Sequence, residues 1–381
     1  MKVLMYGFGS GNNIEPWLEF YESNHTHHHL TYVCRKFQFN RNHFQHIQVV
    51  ETGSLYFIGF EILRLIRSNS RDVVYIQGLY DYLIVLQLLM FAGCKLRVVN
   101  IWNNRNFRKG SLENRKFWQV PLYRMIYRLT DRFYFTWYGT YSDFEGLFPS
   151  QKAKMFIQPW GIRNRIIEEE SVVQSDFVRN YLSGLRSDEL FLFWPENMSA
   201  EEHIDLLVLA LAQLEDRRDL RVLIFCGHQK KENDYSRKLR VLIQELQLDC
   251  IDLVLGEYLP FADIMALWQR ADLTIKLSTK DQLSNGIIEA MFFKTPVILN
   301  NWIPYQKLAD TGFHVNLTEM EAGAISDCLK TLIGNIRKDR DFYLNHGEVN
   351  SRIIREKFNF DKNIGLLMQD LEKVVSAAPS S

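Results

Sequence analysis

Apolar residues in the first half of the chain fall into short blocks separated by longer stretches of helical period. The blocks are KVLMY (2–6), LTYVC (30–34), IQVVE (47–51), VVYIQ (73–77) and LRVVNIW (96–102). They are rich in Val, Ile, Leu and Tyr and show little alternation, as expected of strands covered by helices on both sides. Between them, FIGFEILRLIRS (57–68) and residues 81–91 place apolar side chains at helical spacing, and 112–129 is a long amphipathic stretch. RFYFTWY (132–138) and KMFIQPW (154–160) close this half. The second half repeats the alternation with LFLFW (190–194), RVLIFC (221–226), IDLVLG (251–256), DLTIKLS (272–278) and PVILN (296–300). Ser199 followed by Glu202 predicts a capping box, with Ile204, Leu207, Val208 and Leu211 behind it on one helix face. Alternating strands and helices predict an α/β protein of two doubly wound parallel-sheet units. The expected domains are 1–170 and 186–350, joined through the acidic IEEESVVQSD, with a C-terminal helix and tail (351–381) crossing back to the first.

Composition narrows the class. The chain has 381 residues, 47% hydrophobic and 24% charged, which excludes wholesale disorder and a disulfide miniprotein. Lys plus Arg and Asp plus Glu are both 45, and a neutral chain argues against a nucleic-acid coat. Cys34, Cys94, Cys226, Cys250 and Cys328 are scattered without CxxC spacing, which reads as reduced thiols. The apolar stretch at the N-terminus is too short for a signal peptide, and the run from Tyr82 to Cys94 is too short to span a bilayer. A cytoplasmic location is expected, peripheral on the inner face of the membrane if the basic stretch described below meets lipid.

The strongest chemical signal is TIKLSTKDQLSNGIIEAMFFKTPVILN (274–300). A strand ends near Leu277, a polar loop follows, and a helix starts near Ser284–Gly286 with Ile287, Ile288, Met291 and Phe292 as its buried face. Small residues at a helix start leave backbone N–H groups bare, an arrangement suited to a diphosphate. Such a loop lies beyond the carboxyl end of a parallel strand, where open α/β sheets bind ligands. An ordinary capped helix with a solvated Glu289 fits these residues equally well.

The same stretch resembles the donor-sugar motif of glycosyltransferase family 4, the large retaining family of GT-B fold. That motif has an acidic residue, seven intervening residues, Glu-Ala-Met and then a Pro-Val-Ile strand. Here these are Asp281, Glu289-Ala290-Met291 and Pro296-Val297-Ile298. LFLFWPENMSAEEHIDLLVLAL, LIFCGHQKKE and EYLPFADIMALWQRAD are similar to other parts of that domain, and PWGI (159–162) to the close of the first one. The resemblance implies two Rossmann-like domains facing across a cleft, and sugar transfer from a nucleoside-diphosphate donor to a hydroxyl of a glycan or lipid-linked glycan. It implies retention, cell-surface polysaccharide or glycoconjugate synthesis, and no cofactor or metal. By position, Glu289 would accept from the ribose hydroxyls and Asp281 would hold the donor sugar. The amides of Leu283, Ser284, Asn285 and Gly286 would hold the diphosphate, with Asn197 and Gly227 at neighbouring strand ends.

One departure stands out. Relatives carry Gly-Arg after the first strand of this domain and a Lys shortly after, both neutralising the leaving diphosphate. This chain has Trp194-Pro195-Glu196-Asn197, then Glu201-Glu202-His203. If transfer occurs, other cations or dipoles must act, because developing negative charge needs them. Lys280 and Lys276 are the expected substitutes, with Lys230 and Lys231 behind them.

The glycine loop Gly7-Phe-Gly9-Ser10-Gly11-Asn-Asn lacks the last glycine of a dinucleotide fingerprint, which disfavours NAD. On the GT-B reading Gly9, Ser10 and Gly11, with Asn103 and Asn104, would line the acceptor side of the cleft. Residues 105–132 hold eight cationic residues against two acidic ones, among aromatics. Arg108, Lys109, Arg115, Lys116, Trp118 and Arg124 are expected to contact an anionic membrane surface; a helix packed on its own sheet is the alternative. The histidines 25, 27, 28 and 29 lack accompanying ligands at metal spacing. Two other functions remain open: a GT-B nucleotide-sugar epimerase, and a sugar-nucleotide-binding pseudoenzyme favoured by the missing cations.

Overall fold

The computed structural model describes residues 1–7, 14–34, 36–37, 39–51, 71–79, 84–101, 117–163, 175–226, 232–257, 259–279 and 283–377. The expected helix 57–68 lies outside them. The chain forms two compact units: Met1–Asn164 with Asn359–Ser381, and Arg165–Phe358.

In the first unit the strands are β1 (Lys2–Gly7), β2 (His29–Cys34), β3 (Gln48–Glu51), β4 (Arg71–Gln77), β5 (Cys94–Ile101), β6 (Arg132–Phe135) and β7 (Met155–Ile157). They form one parallel sheet in the order β3-β2-β1-β4-β5-β6-β7, with Val3 opposite both Leu30 and Val73. Its described helices are α1 (Glu15–Ser23), α2 (Ile84–Met90), α3 (Gln119–Leu129), α4 (Tyr138–Leu147) and α13 (Phe360–Ala377). Alternate residues of each strand serve opposite faces. Leu4, Tyr6, Val74 and Ile76 pack with Ile84 of α2, Tyr123, Ile126 and Tyr127 of α3 and Phe144 of α4. Val3, Met5, Val73 and Tyr75 pack with Trp17 and Leu18 of α1 and with Ile364, Leu367 and Leu371 of α13. The returning helix is anchored at its start: the Phe360 amide donates to the Ile162 carbonyl at 2.9 Å, and Asn363 Nδ2 to the Pro159 carbonyl at 2.9 Å. The histidines are dispersed. His25 stacks on His46, with ring centroids 3.7 Å apart, while His28 is buried near Glu372 of α13.

In the second unit the strands are β8 (Leu190–Pro195), β9 (Leu220–Cys226), β10 (Ile251–Leu255), β11 (Thr274–Lys276), β12 (Val297–Asn300) and β13 (Asn316–Thr318). Ladders run β10-β9-β8 and β11-β12-β13, and a bridge from Leu192 to Leu273 joins them. Thr274 Oγ1 reinforces that seam by donating to the Phe193 carbonyl at 2.6 Å. The strand order therefore reverses between β8 and β11. Helices α5 (Asp176–Gly184), α6 (Ile204–Ala212), α7 (Asp234–Glu245), α8 (Phe261–Arg270), α9 (Asn285–Phe292), α10 (Ile303–Asp310), α11 (Ala322–Lys338) and α12 (Arg340–Lys357) cover the strands. Ile204, Leu207, Val208 and Leu211 are fully buried, as their spacing predicts.

The capping box does not form. Residues Ala200–Glu202 make a 3₁₀ turn, and the Ser199 side chain makes no capping hydrogen bond. The chain then passes through His203 in the left-handed region (φ 55°) before α6 begins. Glu202 is drawn away by Lys276, described below. All five cysteines are free thiols, and no helix among the described residues is long and apolar enough to cross a membrane.

At Gly347, α12 passes close to the turn after α9. A Cβ there would lie 2.5 Å from both Lys294 Cβ and the Lys294 carbonyl oxygen. Backbone cannot yield as a flexible side-chain tip can, so Gly347→Ala should cost about 1–3 kcal/mol. A fall in melting temperature of at least about 3 °C is expected in thermal denaturation.

Candidate functional site

The reversal of strand order opens a crevice at the carboxyl ends of β8 and β11, the position at which doubly wound sheets bind ligands. Glu196 directly follows β8 and Glu202 lies in the turn beyond it; Lys276 is the last residue of β11. The Lys276 ammonium, 2% exposed, pairs with Glu196 and, at 3.1 Å, with Glu202, which is 1% exposed. One cation thus answers two carboxylates. Lys276, expected to neutralise a leaving diphosphate, is already engaged by these two carboxylates. Asn197, just beyond, is exposed.

Past β11 the chain reaches α9. Ser284 is its N-cap and accepts from the Ile287 amide at 3.4 Å. Ile287, Ile288, Met291 and Phe292 are buried as expected. The amides of Asn285 and Gly286, at the first two helical positions, have no intrahelical acceptor, and no acidic side chain lies in this first turn. They present N–H groups at the positive end of the helix dipole.

Glu289 lies one turn inside α9. Its Oε2 accepts from Trp268 Nε1 at 3.1 Å, and this is its one hydrogen bond among the described residues. Burial raises its carboxyl above the ordinary value, an effect the indole N–H partly offsets. Trp268 is itself fixed edge-on against Phe193, with ring centroids 4.7 Å apart. Its ring also underlies the helix start, since a Cβ on Gly286 would meet Trp268 Cζ2 at 3.8 Å. Trp268 thus positions the helix start and the acid together. It was not singled out from the sequence: it lies 21 residues from Glu289 on another helix, and no local pattern links them.

Leu283, Ser284, Asn285, Gly286 and Glu289 are brought together in this way. Asp281, Lys280, Gly227, Lys230 and Lys231 lie outside the described residues, as do Gly9, Ser10, Gly11, Asn103 and Asn104 and, of the expected membrane contacts, Arg108, Lys109, Arg115 and Lys116.

The buried cluster supports a stability prediction. Lys276→Met should remove the buried cation that Glu196 and Glu202 share, at a cost of about 3–5 kcal/mol. Chemical denaturation should show a reduced midpoint, and Glu196→Gln combined with Lys276→Met should recover part of it.

Residues 183–340 match the family model described as glycosyl transferases group 1. No curated protein matches in sequence. Among solved structures, a glycosyltransferase from Rickettsia africae superimposes with a TM-score of 0.77 at 13% identity, covering 99% of each chain. Sucrose-phosphate synthase from Thermosynechococcus elongatus gives 0.75 at 15% identity, covering 99% of this chain and 100% of that one. Anabaena HepE, solved with UDP and glucose, gives 0.74 at 15% identity, covering 98% and 100%. At such identities the likeness is one of fold, and that fold is GT-B.

Proposed function

We propose, for a chain whose residues 183–340 match the glycosyl transferases group 1 model, transfer of a sugar from a nucleoside-diphosphate sugar to a hydroxyl of a glycan or lipid-linked glycan. The observation that carries this reading is the α9 start: bare amides at Asn285 and Gly286, with Glu289 one turn inside and one carboxylate oxygen still without a hydrogen bond among the described residues. Amides on a helix dipole suit a diphosphate, and a carboxylate held by an indole suits the paired hydroxyls of a ribose. That Anabaena HepE was solved with UDP supports the donor class.

In this mechanism the bond from the anomeric carbon to the diphosphate oxygen breaks and the bond to the acceptor oxygen forms. The acceptor proton passes to the departing phosphate oxygen. Such same-face attack retains configuration and needs neither an enzymic nucleophile nor a metal. The product would enter cell-surface polysaccharide or glycoconjugate. The α9 amides share in carrying the leaving charge, since Lys276 is engaged by two glutamates.

The pairing of Lys276 with Glu196 and Glu202 favours one second reading, a protein that binds nucleotide-sugars with little turnover. Incubation with a panel of nucleotide-sugars and acceptors, followed by mass spectrometry, separates the two. A glycosylated product supports transfer, and saturable binding without product supports the second reading. Protein that binds no nucleotide-sugar contradicts both.

Glu289→Gln keeps the shape of the side chain but removes its charge. Loss of a charged hydrogen-bond acceptor for ribose should weaken donor binding by about 10- to 100-fold with the melting temperature nearly unchanged. Calorimetric titration checks this, and undiminished affinity excludes the role.

Donor binding should also depend on pH with a known sign. Glu289 must be ionised to accept both ribose hydroxyls, so affinity falls as pH drops through its raised pKa. Trp268→Phe removes the N–H that stabilises the carboxylate. The loss of affinity should then begin at higher pH than in the parent, as read from binding titrations across the acid range.

A further inference from the structure

Helix α3 has two faces. Gln119, Tyr123, Ile126 and Tyr127 are buried, which answers the alternative raised from the sequence: these rings belong to the sheet. The opposite stripe consists of Pro121, Arg124, Met125, Arg128 and Leu129, all exposed, preceded by exposed Phe117 and Trp118. A surface stripe on a crossover helix is ordinarily polar. Here Phe117 is 89% exposed, Trp118 and Met125 42%, and Leu129 40%. The neighbouring α2, which packs against α3, adds Val85 at 51% and Leu89 at 38%. Of the thirteen large apolar side chains exposed among the described residues, six lie on these two helices and the turn between Phe117 and Trp118. Single exposed apolar residues need no account, but a cluster on adjacent helices does.

The charge of the stripe narrows the partner. No Asp or Glu occurs from Phe117 to Thr130. Arg124 and Arg128 have no acidic partner among the described residues. Lys154 adds its ammonium at the end of the helix, donating to the carbonyls of Arg128 at 3.3 Å and Thr130 at 2.8 Å. Nucleic acid fits poorly, since four of the six apolar side chains, Val85, Leu89, Met125 and Leu129, are aliphatic and offer bases no stacking platform. A second copy fits poorly, since self-pairing would bring this cationic stripe near itself.

We propose that the outer face of α2 and α3 docks on an anionic lipid bilayer. Phe117, Trp118, Met125 and Leu129 enter the boundary between headgroups and acyl chains. Arg124 and Arg128 extend their stems along the apolar surface and set their guanidinium groups at the phosphates. This surface is independent of the transfer reaction, but it would bring such an enzyme to a lipid-linked acceptor.

Co-sedimentation of the full chain with vesicles tests it. The parent should pellet with vesicles containing about one-third phosphatidylglycerol in phosphatidylcholine, and should remain in solution with phosphatidylcholine alone. Arg124→Glu with Arg128→Glu should lower partitioning by at least about tenfold, and so should Trp118→Ser with Met125→Ser. Phe342→Ser with Leu344→Ser, at exposed apolar sites in the other unit, should leave it unchanged; circular dichroism verifies that each variant is folded. A parent that does not pellet with the anionic vesicles, or pelleting unaffected by both α3 variants, overturns the proposal. A dimer in light scattering that Trp118→Ser with Met125→Ser dissociates, without vesicle binding, assigns the face to a second copy and also overturns it.

Discussion

A lysine ammonium buried between two glutamates fixes the carboxyl end of the second sheet. Lys276 ends β11, Glu196 follows β8, and Glu202 lies in the turn beyond, so one cation ties together the two strands at which the sheet order reverses. Such a cluster adds little net stability over a well-packed apolar one, but breaking it is costly. Its value is positional. It holds the β8 turn inward and sets where β11 ends, and hence where the loop toward α9 departs. The same interaction constrains the chemistry, because a cation paired in this way cannot also receive a departing diphosphate.

The charge problem therefore moves to α9. Its first amides are bare, its first turn holds no acid, and Ser284 secures the third helical amide. Trp268 links this anion-binding end to the adjacent carboxylate, lying under Gly286 while donating to Glu289. A helix dipole can bind a diphosphate, yet alone it supplies less transition-state stabilisation than an Arg–Lys pair would.

The sheet strands, the α9 start with its buried face, and the returning C-terminal helix were legible because each rests on local periodicity. Strand blocks such as VVYIQ are apolar throughout, and α13 repeats Ile364, Leu367 and Leu371 over a long span. What was misread depended on distant partners. Ser199 and Glu202 have capping-box spacing, but Lys276, 74 residues away, claims the glutamate. Trp268 was not singled out, since its partner Glu289 is 21 residues away on another helix. β13 is only three residues long, too short for its Asn-Leu-Thr to carry a strand pattern. On α3 the aromatic density was plain, but which rings faced the sheet and which faced solvent required the structure. Tyr123 and Tyr127 went inward, and Trp118 and Met125 outward.

The central claim is that α9 receives a nucleoside diphosphate. Hydrogen–deuterium exchange with and without a saturating nucleotide-sugar tests it most directly. Bare amides exchange quickly, and a bound diphosphate should slow them. Peptides covering Leu283–Ile288 should gain protection in the parent and gain less in Glu289→Gln at the same ligand concentration. Donor binding detected by calorimetry with no change in exchange at Leu283–Ile288 would contradict the account.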